Sequence, residues 1–144
     1  MLAGVFLALS IWPFASHPKA PPPPLGPLPS TVEMTTIADS AVGYAKVENE
    51  EVGMPGLTSD VKTCYSTLGA NPMPAKVAYC IILDTAASKI AYAGGEIFAP
   101  DYFRDEPRAK RELRLEQKVT TPDNRRVFVQ AMDEAEILAE DAVH

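Results

Sequence analysis

Eight of the chain's 14 prolines fall between residues 13 and 29, and they limit which parts of the chain can pack together. Pro21 to Pro24, Pro27 and Pro29 fix φ and remove backbone donors, so residues 17–30 (HPKAPPPPLGPLPS) are expected to run as an extended polyproline II spacer at roughly 3.1 Å per residue. A docking ligand for an aromatic groove is the other use of such a tract, and Pro24 to Pro27 has the PxxP spacing.

In front of the spacer, residues 1–16 carry no charge, and the 13 residues from Leu2 to Phe14 are almost wholly apolar. That length suits the apolar core of a secretory signal and falls short of the roughly 20 residues a spanning helix needs. No Lys or Arg precedes the run, and Phe14-Ala15-Ser16 puts a bulky ring where a cleavage site needs a small residue. The expectation is a signal peptide or an uncleaved membrane anchor, and a start upstream of Met1 is compatible with both. A buried helix of a soluble fold is the alternative, disfavoured because the prolyl tract would carry it away from any core.

Residues 31–57 are ambiguous: Ile37, Ala38, Ala41, Val42 and Ala45 have helical spacing while Val42 to Val47 alternates, so a weakly helical or irregular arm is expected. Residues 58–144 are expected to form a small, mainly α domain: a disulfide-linked helical hairpin plus one or two further helices. Thr58-Ser59-Asp60 offers N-cap chemistry, Val61, Cys64, Tyr65 and Leu68 make an apolar stripe, and Gly69 suits a left-handed C-terminal cap. Pro74 opens a second helix that runs without a breaker to Ala93, before Gly94-Gly95. A third, Pro107 to Lys118, carries the i,i+4 charge pairs of a solvated face, with Ala109, Leu113 and Leu115 as its inward candidates.

Thr121-Pro122-Asp123 opens the last helix, with Val127, Phe128, Ala131, Met132, Ala135, Leu138 and Ala139 on one stripe. A β-hairpin of Leu113 to Val119 with Arg126 to Ala131 competes, but its alternation puts Phe128 on the wrong face.

Cys64 and Cys80 are the only cysteines. One lies five residues before Gly69 and the other six after Pro74, so in the hairpin both sit roughly 8 to 9 Å above the turn and point to the same interface. A structural disulfide is expected, and with it an exported, periplasmic or extracytoplasmic location. The competing reading is a redox pair, but reactive dithiols favour C-x-x-C at a helix N-terminus, where the dipole lowers the thiol pKa.

Asp84 falls on the apolar stripe of the second helix, between Val77 and Ala91 on the helical wheel. A buried carboxylate must be neutral, hydrogen-bonded or paired. Arg104, Arg108 and Arg111 are the candidate cations, and Tyr65 and Ser88 the candidate hydroxyl donors. The sharper alternative is a general acid or base, but no second catalytic group accompanies it.

Residues 104–126 hold eight Lys and Arg against five Asp and Glu. This is read as a solvated helix face, or as a strip for an anionic lipid, a glycan or an acidic partner. Arg104, Arg108 and Arg111 with Tyr102 and Phe103 are the candidate partner-binding residues. Tyr92, Phe98, Tyr102 and Phe103 flank the Gly94-Gly95 loop, either capping the core or forming a contact patch.

The net charge of −6 argues against nucleic-acid binding through counterion release. The two histidines, His17 and His144, lie at opposite ends, which disfavours the usual triads and His-containing metal sites. Two thiolates alone do not make a metal centre, and nothing implies a cofactor. The functional expectation is a non-catalytic binding or assembly module of the cell envelope, an accessory subunit or inhibitor, with an unidentified protein partner and membrane contact through the N-terminus. The alternative from another class is a small thiol oxidoreductase using Cys64 and Cys80.

Overall fold

A computed structural model describes residues 27–69, 72–105, 108–119 and 122–142. The apolar run 1–16, most of the spacer and the Thr121 cap lie outside them. Among the described residues six α-helices follow in order: α1 (Thr31–Glu51), α2 (Gly53–Thr67), α3 (Pro74–Ala93), α4 (Asp101–Asp105), α5 (Arg108–Glu116) and α6 (Pro122–Ala142). A 3-10 turn, Glu96–Phe98, joins α3 to α4. There is no strand among the described residues, so the hairpin alternative for 113–131 gives way to α5 and α6.

The segment 31–57 is the main departure from expectation. It forms α1 and the start of α2, with Met34, Ala38, Ala41, Val42 and Ala45 of α1 all buried. A capping box starts it: Glu33 N–H donates to Ser30 Oγ at 3.3 Å, and Ser30 N–H donates to Glu33 Oε2 at 2.7 Å. Both bonds satisfy amide donors that the first helical turn leaves orphaned. Helix α1 then packs on α3, whose burial supplies the energy that its own weak amphipathicity does not.

Helix α2 begins at Gly53, five residues before the expected Thr58 cap. Gly53 has φ +73, the left-handed conformation that closes α1 and turns the chain back. Pro55 is accommodated because the first turn needs no amide donor there, and Thr58 instead donates its hydroxyl to Met54 O at 2.6 Å from inside the helix. At the far end Leu68, buried in the core and extended (φ −75, ψ 114), ends the helix, and Gly69 stays out of the left-handed region.

Helix α3 starts and stops where the sequence says, with Pro74 in its first turn and Gly95 at φ +103 beyond its end. It is the axis of the bundle, packed against α6, α1 and α2, and is buried around most of its circumference. Val32, Thr36 and Ile37 of α1 share a groove with Met73, Pro74 and Ala75. The N-terminal ends of α1 and α3 are therefore together, and α2 runs back between them. Tyr44 Oη donates to Asp60 Oδ2 at 2.8 Å, tying α1 to α2. This bond to Asp60, more than the partial burial, pushes the tyrosine up to about 12.

Cys64 and Cys80 form the disulfide between α2 and α3, with a Cα–Cα separation of 5.6 Å. Bridges of this kind persist in oxidising compartments, and it points to one here. No helix among the described residues is long and apolar enough to cross a membrane.

Closing a loop of this size restricts the unfolded chain, a gain of about 3 kcal/mol in the chain-entropy model. Urea unfolding of the Cys64→Ser/Cys80→Ser variant should show stability lower by about that amount, with the helical circular-dichroism signal retained in the absence of denaturant. A difference below about 0.5 kcal/mol would show that the bridge adds little to a hairpin held by other contacts.

Candidate functional site: a buried ion pair beneath a cationic cleft

Asp84 is fully buried at the centre of α3. Its Oδ2 accepts from Arg111 Nε at 2.8 Å and from Tyr65 Oη at 2.8 Å. Its Oδ1 accepts from Arg111 Nη2 at 2.5 Å and from Ser88 Oγ at 3.3 Å. The carboxylate thus faces a bidentate guanidinium and two hydroxyls, which is the set of partners that makes a buried charge tolerable.

Arg111 is held from the other side as well. Its Nη1 donates to Tyr102 O at 3.2 Å, and its guanidinium carbon stands 4.3 Å from the Tyr102 ring centroid and 5.7 Å from that of Phe103. Burial pulls the guanidinium pKa down, but the hydrogen bonds and charge of Asp84 outweigh burial and hold it above its ordinary value.

Of the three arginines that sequence offers to Asp84, the structure selects one. Arg108 donates to Thr85 Oγ at 2.6 Å and pairs with Glu112 at 2.9 Å, one turn along the same interface. Arg104 pairs with Asp101 on α4. Helix α5 therefore turns Arg108 and Arg111 toward α3, with Leu115 buried one turn beyond Arg111. The inward expectation holds for Leu115 but not for Leu113, which is 55% exposed, nor for Ala109, which is exposed. Arginines at i and i+3 displace the apolar choice because Asp84 and Thr85 present polar partners to them.

The aromatic residues beside Gly94-Gly95 divide. Phe103 is buried and Tyr102 partly so, their rings in edge-to-face contact at 5.2 Å. Tyr92 donates its hydroxyl to Phe103 O at 3.1 Å. Phe98 and its neighbour Ile97 point outward, 75% and 77% exposed. Among the proposed contact residues, Arg111 and Phe103 thus belong to the packing, Arg104 is exposed, and Arg108 and Tyr102 lie between.

Above the ion pair lies a cleft of about 310 Å³ between α2 and α5. Tyr65, Tyr102 and Arg111 face both the buried cluster and the cleft, whose remaining lining is Ser66, Arg114, Leu115 and Lys118. Lys62 stands 5.0 Å from the Tyr102 ring centroid. The hydroxyl protons of Tyr65 and Ser66 are directed to Asp84 and to Thr63 O. No group of three or more His, Cys, Asp or Glu among the described residues is placed to hold a metal ion.

The sequence points to Asp84 and to its candidate partners, but not to the cleft. Its signal, Lys62 and Ser66 on α2 with Arg114 on α5 and Lys118 just beyond the end of α5, becomes visible only once the Asp84–Arg111 pair sets the helices side by side. No protein-family model matches the chain, and no curated protein or solved structure matches it either.

Two expectations follow. Asp84→Leu and Asp84→Ala should both destabilise, by about 3–5 kcal/mol for the alanine, because each leaves Arg111 buried without its carboxylate. The leucine should melt higher because it fills the space that alanine leaves empty. Equal melting temperatures for both variants and the wild type would mean that the cluster is not a buried pair.

Burial, reinforced by the Asp84 charge, pushes the Tyr65 hydroxyl well above its ordinary value of 10.0. A raised folded pKa contributes stability that is complete below the unfolded value and is lost as pH rises through the folded one. The melting-temperature gap between wild type and Tyr65→Phe should therefore hold steady from roughly pH 6 to pH 9 and narrow above about pH 10. A gap unchanged to about pH 11 would place the tyrosine hydroxyl in water.

Proposed function

We propose that the protein is a non-catalytic binding or assembly module, an accessory subunit or inhibitor, presented outside the cytoplasmic membrane. The observation that carries this reading is the separation of its two ends. Pro27 and Pro29 lie at the N-terminal end of α3, against Val32 and Met73. Ile97 and Phe98 lie just beyond the other end of that helix, a 20-residue span of about 30 Å. A chain tethered through residues 1–30 would turn this apolar tip away from its tether. Two adjacent large apolar side chains exposed on a rigid turn suit insertion into a pocket on a partner protein.

The chemistry of the interior supports the same reading. Asp84 has its hydrogen-bonding capacity taken up by Arg111, Tyr65 and Ser88, leaving no proton-transfer role for it in the ground state. The cysteines are joined in mid-helix, away from the N-terminal dipole that activates catalytic thiols. One feature favours the alternative, a thiol oxidoreductase: Cys64 and Cys80 both line a cleft of about 270 Å³, through which a small thiolate could approach.

Export is tested by fusing the chain to a reporter active only outside the cytoplasm; activity confined to the cytoplasm would defeat the compartment reading. Pull-down from solubilised envelope, with wild type and Ile97→Ser/Phe98→Ser as paired baits, tests the tip. A partner retained by the wild type and lost by the variant, with melting temperature unchanged, is the expected result; identical recovery by both baits would reject the tip as the contact. Thiol titration of the native protein should find no free thiol and slow reduction by glutathione, whereas rapid, reversible reduction would favour the oxidoreductase.

A further inference from the structure

The two ends of α3 carry features that match each other. At its start, a groove of about 420 Å³ lies between the N-terminal ends of α1 and α3, lined mainly by apolar side chains that include Pro27, Val32, Ile37 and Met73. Val32 and Met73 are 76% and 56% exposed. The carboxylate on the lining, Glu33, is already engaged, its Oε2 accepting from Ser30 N–H at 2.7 Å.

Beyond the other end of α3, Ile97 and Phe98 stand out from a turn that is itself fixed. Phe98 N–H donates to Gly95 O at 3.0 Å and Ala99 N–H to Glu96 O at 3.2 Å, and Ala99 is buried. Gly95, at φ +103, lets the Phe98 ring lie 3.5 Å from the place a Cβ would take. The tip is therefore presented without a large ordering cost.

Charge runs in the same direction. No side chain caps the start of α3 and no acid stands in its first turn, where Lys76 is exposed, so the groove end is positive. The last turn of α3 carries no base, and the exposed Glu96 immediately precedes Ile97, so the tip end is negative.

We propose that the groove receives the Ile97–Phe98 tip of a second copy of this chain, joining copies end to end. The proposal rests on the reading of the tip as a contact surface and names its partner. Seating the tip of one copy on the groove of the next aligns the two α3 dipoles and brings Glu96 toward Lys76. A groove of about 420 Å³ is near the small end of ligand-sized cavities and takes two side chains, not a helix. The tether agrees: at polyproline II extension residues 17–26 reach about 31 Å, matching the roughly 30 Å length of α3. A copy seated on its neighbour's tip stays within reach of the same anchoring surface, and a third tier does not. Two inserted side chains cover far less than the roughly 800 Å² per partner of a stable pair, so the contact is weak in solution and gains from tethered copies held close together. Knob and groove at opposite ends make a heterologous contact, which does not close on two copies.

The test is sedimentation velocity of the full chain, in a non-ionic detergent that disperses the apolar run 2–14. Average mass should rise with concentration. Ile97→Ser/Phe98→Ser, which removes the knob, and Val32→Glu/Met73→Glu, which spoils the groove at two exposed positions, should each weaken association at least about tenfold with melting temperature unchanged. An equimolar mixture of the two variants should associate again and stop at two copies, because one retains only a groove and the other only a tip.

A full chain that stays monomeric to about 1 mM would overturn the proposal. So would a mixture of the two variants that fails to associate, which assigns the contact to like surfaces meeting. Association lost only in the groove variant would give the groove to another occupant, and association kept by both variants would place it on residues 2–14; either result rejects the tip. A foreign envelope protein lost by the tip variant in the pull-down, with the full chain monomeric, would leave the module reading intact and overturn this inference alone.

Discussion

The Asp84–Arg111 pair determines how the second half of the molecule sits on the first. A carboxylate at the centre of the most buried helix is tolerable only with a desolvated partner, and Arg111 reaches it with two donors while Tyr65 and Ser88 complete the shell. That requirement rotates α5 so that Arg108, Arg111 and Leu115 face inward. It also brings α4 close, because Tyr102 and Phe103 pack around the guanidinium. An apolar pair of similar volume would bury as well or better, so the pair is better understood as selecting one docking register for α5 than as a source of net stability.

The register has a second consequence. With α5 placed by Arg108 and Arg111, Arg114 on that helix and Lys118 just beyond its end come to line an open cleft opposite α2. The same guanidinium that neutralises Asp84 below forms the cleft's floor above. Arg111 is thus shared between the buried pair and the cleft lining, and its substitution alters both at once.

Much of this was legible in the sequence, and the failures have physical causes. The disulfide followed from equal heights above a turn, and the bounds of α3 from Pro74 and Gly94-Gly95. Asp84 stood out because it interrupts an apolar stripe. In sequence the segment 31–57 resembles an arm because its buried side chains are mostly alanines, whose contribution depends on close packing against α3 and not on hydrophobicity. Its start signal was nonetheless present, Ser30 with Glu33 three residues on, a capping box that sequence alone displays. Thr58-Ser59-Asp60 resembled a cap, but Gly53 supplied the turn earlier. In α5 the inward stripe is two arginines and a leucine, a pattern that hydropathy assigns to solvent until Asp84 and Thr85 are known to lie opposite.

The account stands on the claim that Asp84 and Arg111 act as one unit whose role is positional. A double-mutant cycle by urea unfolding on Asp84→Leu, Arg111→Met and the combined variant measures this directly. The account predicts that each single change destabilises by about 3 kcal/mol or more and that the combined variant lies within about 1 kcal/mol of the wild type, because removing both charges leaves nothing unpaired. Additive losses, with the double variant as unstable as the two singles together, would contradict it and show that the two residues stabilise the bundle through separate contacts.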